Sequence, residues 1–104
     1  MASTKEYLDF VLEQLSLLDD ITCKAMMGEY IIYYRGKIIG GVYDNRFLVK
    51  NVKSAREKMP EVALELPYEG AREMLLVDDV ENRDFLRDLF DAMYDELPEP
   101  KKRK

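Results

Sequence analysis

An amphipathic helix is the first element that the sequence predicts. Apolar side chains recur at helical spacing from Leu8 to Leu18, with polar residues between them. Ser3 and Glu6 have the spacing of a capping box, in which the serine caps the helix and the glutamate reaches back. The pattern therefore predicts a helix over about residues 4–18 with Ser3 as its N-cap.

A series of short β-strands follows the helix. Residues 22–27 predict a first strand, and Gly28 is typical of a break or bulge. The next segments are rich in β-branched and aromatic residues, which favour strands. Arg35-Gly36 and Asp44-Asn45 separate them, and both pairs suit two-residue hairpin turns. The strands predicted here lie at residues 29–35, 37–43 and 46–50.

Two-residue turns also fix a register between these strands. Tyr33 then pairs with Ile38, Ile32 with Ile39 and Tyr30 with Gly41; across the second turn Val42 pairs with Phe47 and Gly41 with Leu48. One face of the sheet would hold Ile31, Tyr33, Ile38, Gly40, Val42, Phe47 and Val49, and the other Tyr30, Ile32, Tyr34, Ile39, Gly41, Tyr43 and Leu48. An antiparallel sheet with one wet side alternates apolar and polar residues. Both predicted faces are apolar, so each needs a covering element or a partner.

The second half of the chain predicts a helix, two strands and a last helix. Residues 51–59 suit a short helix with Asn51 as its cap, and residues 61–67 and 72–77 suit strands. From Asn82 an apolar stripe runs over about four helical turns. The fold class is therefore α+β, an antiparallel sheet with helices. We expect residues 1–100 to form one domain and the basic tail 101–104 to be disordered.

Composition narrows the function classes. The chain has no histidine, which removes the commonest general base and the commonest transition-metal ligand. Its net charge is −5, and because the last four residues contribute +4, the remainder carries −9. An acidic body repels nucleic acid. A lone cysteine and the lack of a signal peptide or long apolar run predict a cytoplasmic protein that does not contact a membrane.

Several residues are candidates for chemistry, each with a structural alternative. The acid pairs at 19–20 and 78–79 could hold a hard cation, but such pairs more often end or cap helices. Cys23 next to Lys24 could be a reactive thiol, although a buried structural cysteine is favoured. The acidic last helix is either a solvated face or a docking face for a basic partner. The sequence predicts no catalytic residue, metal site or cofactor.

Two surface sites remain open. Gly40 and Gly41 either mark a strand kink or the close approach of a helix, with Tyr30 covering Gly41, or form the floor of a small-ligand pocket. The predicted register lines that pocket with three tyrosines: Tyr30, Tyr34 and Tyr43. A modest basic patch near the short helix suggests weak DNA binding, without a recognition motif beside it. It consists of Lys50, Lys53, Arg56 and Lys58.

The segment from Ala25 to Lys50 resembles the N-terminal domain of the TfoX competence-regulator family. The likeness rests on Met27-Gly28-Glu29-Tyr30, the tyrosine-rich strand, the Gly36-Lys37 turn and a hairpin ending in Leu48 and Lys50. Residues 67–69, Pro-Tyr-Glu, are similar to a later family segment. The resemblance implies an α-β-β-β-α-β-β-α fold of the secretion-chaperone-like type. Members with a second, helical domain act in natural transformation, and this chain lacks that domain.

Together these features predict a non-enzymatic, dimeric protein-interaction module with a link to transcription regulation. The partner is a second copy or another protein, and direct nucleic-acid binding is disfavoured. The alternatives are a tyrosine-lined small-ligand pocket and a weak DNA-binding protein.

Overall fold

A computed structural model describes residues 3–97 as three helices and one six-stranded sheet. The predicted α+β class and the order of helix, strands, helix, strands and helix are confirmed. The first block of strands has four members, one more than the resemblance implies. The elements are α1 (Lys5–Gln14), β1 (Ile21–Met26), β2 (Glu29–Tyr34), β3 (Lys37–Tyr43), β4 (Arg46–Val49), α2 (Lys53–Lys58), β5 (Leu64–Glu65), β6 (Met74–Leu76) and α3 (Arg83–Tyr94). The predicted disorder of the tail lies outside the described residues.

The sheet is antiparallel throughout, with the strand order β1-β2-β3-β4-β6-β5. All three helices contribute buried apolar side chains to one core on one face of this sheet. We call this face the inner face and the opposite one the outer face. The sheet contributes the following to the core: Ile32, Tyr34, Ile39, Val42, Phe47, Val49, Leu75 and Val77.

The start of α1 differs from the predicted capping box. Thr4 is the N-cap, and its side chain accepts a hydrogen bond from the backbone N–H of Tyr7. Ser3 instead donates its hydroxyl to Glu29 over 2.6 Å and accepts a bond from the backbone N–H of Asn45. The predicted role of Ser3 as cap is therefore wrong, because two strand ends offer it better partners. These bonds tie the N-terminus to the turns of two hairpins.

All three turns between β1 and β4 are two residues long. Arg35-Gly36 and Asp44-Asn45 are confirmed as turns, and each of these four residues has positive φ. Met27-Gly28 forms a third such turn, with φ of 54° and 86°. Positive φ at both central positions gives a turn whose twist matches that of the strands. The turn residues, which all have positive φ, therefore favour each of the three hairpins locally.

The register across the second hairpin contains a bulge that the sequence did not predict. Tyr33 pairs with Ile38 as expected, but Ile32 pairs with Gly40 instead of Ile39. Ile39 is the extra residue, and it shares the inner face with Gly40. A shift of one residue moves every later side chain to the other face. The β3–β4 register is as predicted. Relative to β2, the residues of β3 after the bulge and all residues of β4 therefore lie on the face opposite to the predicted one.

The second half of the chain follows the prediction with shorter elements. The last helix begins near Asn82 as expected, and Asn82 caps α3 by accepting a hydrogen bond from the backbone N–H of Phe85 over 3.0 Å. Asn51 does not cap α2; its side chain accepts a bond from Arg56 instead. The last two strands, β5 and β6, are two and three residues long, shorter than the predicted segments 61–67 and 72–77.

Candidate interaction site

Apolar side chains dominate the outer face of the sheet. Alternation along the strands, corrected for the bulge, places Ile31, Tyr33, Ile38, Tyr43 and Leu48 there. Leu48 and Tyr43 are buried but lie outside the helix-side core. Both faces of the sheet are thus apolar, as the sequence predicts, although the bulge changes which residues each face carries.

The connection between β5 and β6 covers part of this face. Arg46 holds the start of the connection through an ion pair with Glu65 over 2.9 Å and a hydrogen bond to the Leu66 carbonyl over 3.1 Å. The ring of Tyr68 then lies 6.3 Å from the ring of Tyr43, centre to centre. This connection therefore covers the outer face at Tyr43.

The uncovered part of the outer face is a groove of about 690 Å³. We call it the outer groove. Its floor includes Met26, Ile31 and Ile38, and Tyr68 stands at its wall. Met26, Ile38 and Tyr68 are 42%, 39% and 58% exposed. Charged side chains line the groove beside this apolar floor: Lys50, Arg72, Glu73 and Glu96.

The tyrosine-lined pocket predicted from the sequence is not assembled. Tyr30 and Tyr34 lie on the inner face, where Tyr34 is buried among core residues, whereas Tyr43 lies on the outer face. The predicted pairing of Tyr30 with Gly41 is wrong, because the bulge places Val42 opposite Tyr30. The three side chains therefore do not line one cavity.

The two glycines allow close approaches within the sheet. A Cβ atom on Gly40 would overlap the carbonyl oxygen of Leu48 and lie 2.8 Å from the Cα atom of Val49. A Cβ atom on Gly41 would overlap the Tyr30 carbonyl oxygen and lie 2.8 Å from the Tyr43 ring. The space above Gly41 is thus covered by Tyr43 and not by Tyr30. Neither glycine forms the floor of a ligand slot.

Tyr34 makes the strongest polar link between the sheet and α3. Its hydroxyl donates to a carboxylate oxygen of Asp91 over 2.6 Å, and its ring packs against those of Phe90 and Tyr94. Burial, with the Asp91 hydrogen bond and charge as further causes, raises the pKa of Tyr34 to about 12. The phenol therefore stays protonated in the folded chain over the whole physiological range.

We expect Tyr34→Phe to lower the free energy of unfolding by about 1 kcal/mol near neutral pH, the usual contribution of one hydrogen bond. Because the folded-state pKa of Tyr34 lies above its unfolded value of about 10, its pH-linked contribution to stability is complete below pH ~10. It is lost as pH rises through the folded value. The stability difference between the two chains should thus shrink at alkaline pH, as urea unfolding would show.

Comparing Tyr34→Phe with the parent chain cancels the contribution of the other tyrosines to the pH dependence of stability. Burial also raises the pKa of Tyr7 and Tyr43, but both chains keep these residues. A stability difference that stays constant from neutral pH to about 12 would contradict the assigned link.

The predicted basic patch is divided between three places. Lys50 lines the outer groove, and Lys58 lines a second cavity of about 380 Å³ beside Asp78 and Asp79. Lys53 and Arg56 lie near Glu96, whose pKa is lowered mainly by hydrogen bonds from Ser54 and further by these two cations. Their charge is therefore partly compensated within the chain.

Cys23 is exposed, so the prediction of a buried structural cysteine is wrong. Its position in β1 faces the helix side, opposite the core residue Ile32. However, β1 is an edge strand, and five of its six residues are exposed. The helices do not reach far enough over this edge to bury the thiol.

Arg87 offsets part of the acidic charge at the start of α3. It lies 3.6 Å from a carboxylate oxygen of Asp84 and 3.7 Å from one of Asp88. Within residues 3–97, no group of three or more cysteine, aspartate or glutamate side chains is arranged to hold a metal ion. No helix in that range is long and apolar enough to cross a membrane.

Sequence reasoning missed two features of the site. Residues 61–67 and 72–77 are predicted as strands joined by residues 68–71, whereas the connection between the observed strands runs from 66 to 73 and covers part of the outer face. Lys37 is predicted as the first residue of a strand without a role in the core, yet it is buried, donates to the Tyr94 carbonyl over 3.1 Å and lies 4.1 Å from the Tyr94 ring centre. The alternation of β3 places Lys37 inward, and this was the available signal.

The chain is similar to a protein of Spirochaeta aurantia that is named for its size and position, the uncharacterized 12.7 kDa protein in the trpE 5′ region. The two are 34% identical over 105 residues, which cover 100% of this chain and 91% of the relative. No family model matches the chain. No solved structure matches it either. The length and level of this identity show that the chain belongs to the same bacterial protein family as the Spirochaeta aurantia protein.

Proposed function

We propose that this chain is a non-enzymatic protein-interaction module that binds an apolar segment of another protein in its outer groove. The observation that carries the proposal is the outer face itself. The sheet is apolar on both sides, but the helices of residues 3–97 pack on the inner side alone. The β5–β6 connection covers only part of the other side.

The composition of the groove supports a protein partner. Its floor exposes Met26 and Ile38, and methionine adapts to irregular apolar surfaces. An aromatic side chain, Tyr68, stands at the wall, and tyrosine is enriched in protein interfaces. An apolar centre with charged residues around it is the usual anatomy of such interfaces.

The resemblance to the N-terminal domain of TfoX regulators supports a partner in transcription regulation. The proposal carries over the interaction role of such a domain and not the induction of competence, which belongs to family members with a second, helical domain.

A small apolar ligand is the second candidate for the outer groove. Its volume of about 690 Å³ lies within the usual range of small-molecule sites. A ligand bound there would appear in native mass spectrometry as added mass without a second polypeptide. The proposed module would instead retain a protein.

Photo-crosslinking in the organism that encodes the chain tests the proposal. A photoreactive phenylalanine analogue replaces Tyr68 at the groove wall, and in a control chain it replaces Glu57, which is exposed on α2. We expect a defined adduct with a second protein from the Tyr68 position alone. The purified partner should then bind Ile38→Asp about tenfold more weakly, the usual cost of a central apolar contact.

A further inference from the structure

Strand β1 is an open edge of the sheet. It is six residues long, it contains no proline, and its pairing with β2 runs without a bulge. Natural edge strands are usually protected by shortness, proline, bulges or several charges. The opposite edge, β5, is two residues long and is protected in this way. Lys24 is the single charge on β1, so this edge is free to pair with another strand.

Hydrogen bonding within the first hairpin determines which backbone groups of β1 face outward. The turn closes on the hydrogen-bonded pair of Met26 and Glu29, and at the other end Arg35 donates its backbone N–H to the carbonyl of Asp20 over 3.0 Å. Bonded and non-bonded pairs alternate along an antiparallel ladder. The even-numbered residues therefore bond to β2. The residues whose N–H and C=O groups face away from β2 are Ile21, Cys23 and Ala25.

We infer that the chain forms a symmetric homodimer in which two β1 strands pair antiparallel across Cys23. In this register Cys23 faces Cys23 of the second copy, and Ile21 faces Ala25 of the second copy in both directions. Every outward residue of each strand then exchanges N–H···O=C bonds with the other copy. The two sheets join into one of twelve strands.

Neighbouring registers satisfy fewer groups. A centre at Thr22 leaves Ala25 without a strand residue opposite it. A centre at Lys24 leaves Ile21 unpaired and places two lysines directly opposite each other, which is destabilising. In the proposed register Lys24 faces Thr22 of the second copy, with Asp20 and Lys24 of that copy at the diagonal positions. The strand is thus complementary to itself at this one register.

A second copy is the occupant that the edge fits best. A two-fold axis through Cys23 uses both open edges at once and leaves the short β5 strands at the ends, so the assembly closes. The inference is independent of the proposed function, because the pairing uses the backbone groups of Ile21, Cys23 and Ala25, and none of these residues lines the outer groove.

Cysteine oxidation reports the proposed register directly. Facing residues of a hydrogen-bonded pair have Cα atoms about 5.5 Å apart, within the range that a disulfide spans. Diamide would accept two electrons and two protons from the two Cys23 thiols and leave one disulfide between the copies. We expect light scattering to give twice the chain mass under reducing conditions. Diamide should convert this species to a covalent dimer that a reducing agent separates.

Two variants distinguish a disulfide formed at the proposed interface from one formed by random collision of two chains. Cys23→Ser should remain dimeric and lose the covalent link. Moving the thiol by Cys23→Ser with Ala25→Cys should also abolish the link, because the residues at position 25 are four positions apart along the paired strands. Equal crosslinking from position 25 would overturn the register.

Cys23→Pro tests the edge itself. Proline removes an outward N–H that β2 does not use, and edge strands tolerate proline at such positions. We expect this variant to keep its circular dichroism spectrum and to halve its mass in solution, while Ile38→Asp stays dimeric. A wild-type chain that is monomeric at all concentrations, or a dimer that Ile38→Asp dissociates and Cys23→Pro does not, would overturn the inference.

Discussion

Replacing Ile39 by alanine is expected to lower the free energy of unfolding by about 2–5 kcal/mol, the range for large-to-small changes in a core. The same replacement at its neighbour Ile38 should cost about 1 kcal/mol or less, as is usual for exposed positions. Ile39 is fully buried under the helices, whereas Ile38 is 39% exposed on the outer face. The two side chains are identical and adjacent, so the difference reports the two faces of the sheet.

Chemical denaturation of both variants and the parent chain measures this difference. A domain of this size has a total stability of about 5–15 kcal/mol, so the loss at Ile39 is a large fraction. Equal losses at the two positions would mean that the outer face is as well packed as the inner face. That result would remove the basis for an open outer groove.

Gly40→Ala is expected to have the second-largest effect, a loss of about 3 kcal/mol in the free energy of unfolding, at the upper end of the usual range for overpacking. The added methyl group would overlap the carbonyl oxygen of Leu48 and press on the Cα atom of Val49. Both are backbone atoms of β4, and they cannot move aside by a change of rotamer. The strand pair must separate locally or the bulge must rearrange, and overpacking of this kind usually costs about 1–3 kcal/mol or more.

Gly70→Ala provides the matched control. A Cβ atom on Gly70 would have no neighbour within 4 Å, but its φ of +88° is strained for alanine. We expect a loss of about 1 kcal/mol from backbone strain alone. Thermal or urea unfolding compares the two variants. A Gly40→Ala chain as stable as the Gly70→Ala chain would contradict the close strand approach at the bulge.

Much of the fold could be predicted because its elements are encoded locally. Two-residue turns need residues that tolerate positive φ, and the pair Asp44-Asn45 makes such a turn recognisable in the sequence. The start of α3 near Asn82 and the apolar stripe of this helix are likewise short-range signals. For these elements the residues that determine the structure are neighbours in the chain.

The bulge at Ile39 could not be predicted in the same way. Its position depends on whether Ile38, Ile39 or Gly40 is the residue left unpaired, and these alternatives differ in how β3 packs against β4 and the helices. A β2–β3 register without a bulge satisfies the same rules of turn chemistry and alternation, so these rules do not distinguish the two registers. The predicted and observed registers differ by one residue. This difference changes the positions of the two glycines and Tyr43 relative to Tyr30, so the predicted pocket does not form.

The sequence predicted that the sheet has a second apolar face, but not which part of that face stays open. Apolar residues on both sides of each strand indicated a second face that needs a partner. Which part of that face stays open depends on the β5–β6 connection, which Arg46 anchors through a long-range ion pair with Glu65. A contact between residues on separate strands leaves no periodic signal in the sequence.

The most direct test of the outer groove as a protein-binding site is the crosslinking yield at Tyr68 relative to that at Glu57. We predict an adduct with one defined second protein at Tyr68, its loss when Ile38→Asp is introduced into the same chain, and background yield at Glu57. Equal yields at the two positions, or a Tyr68 adduct that Ile38→Asp leaves unchanged, would contradict the proposed function.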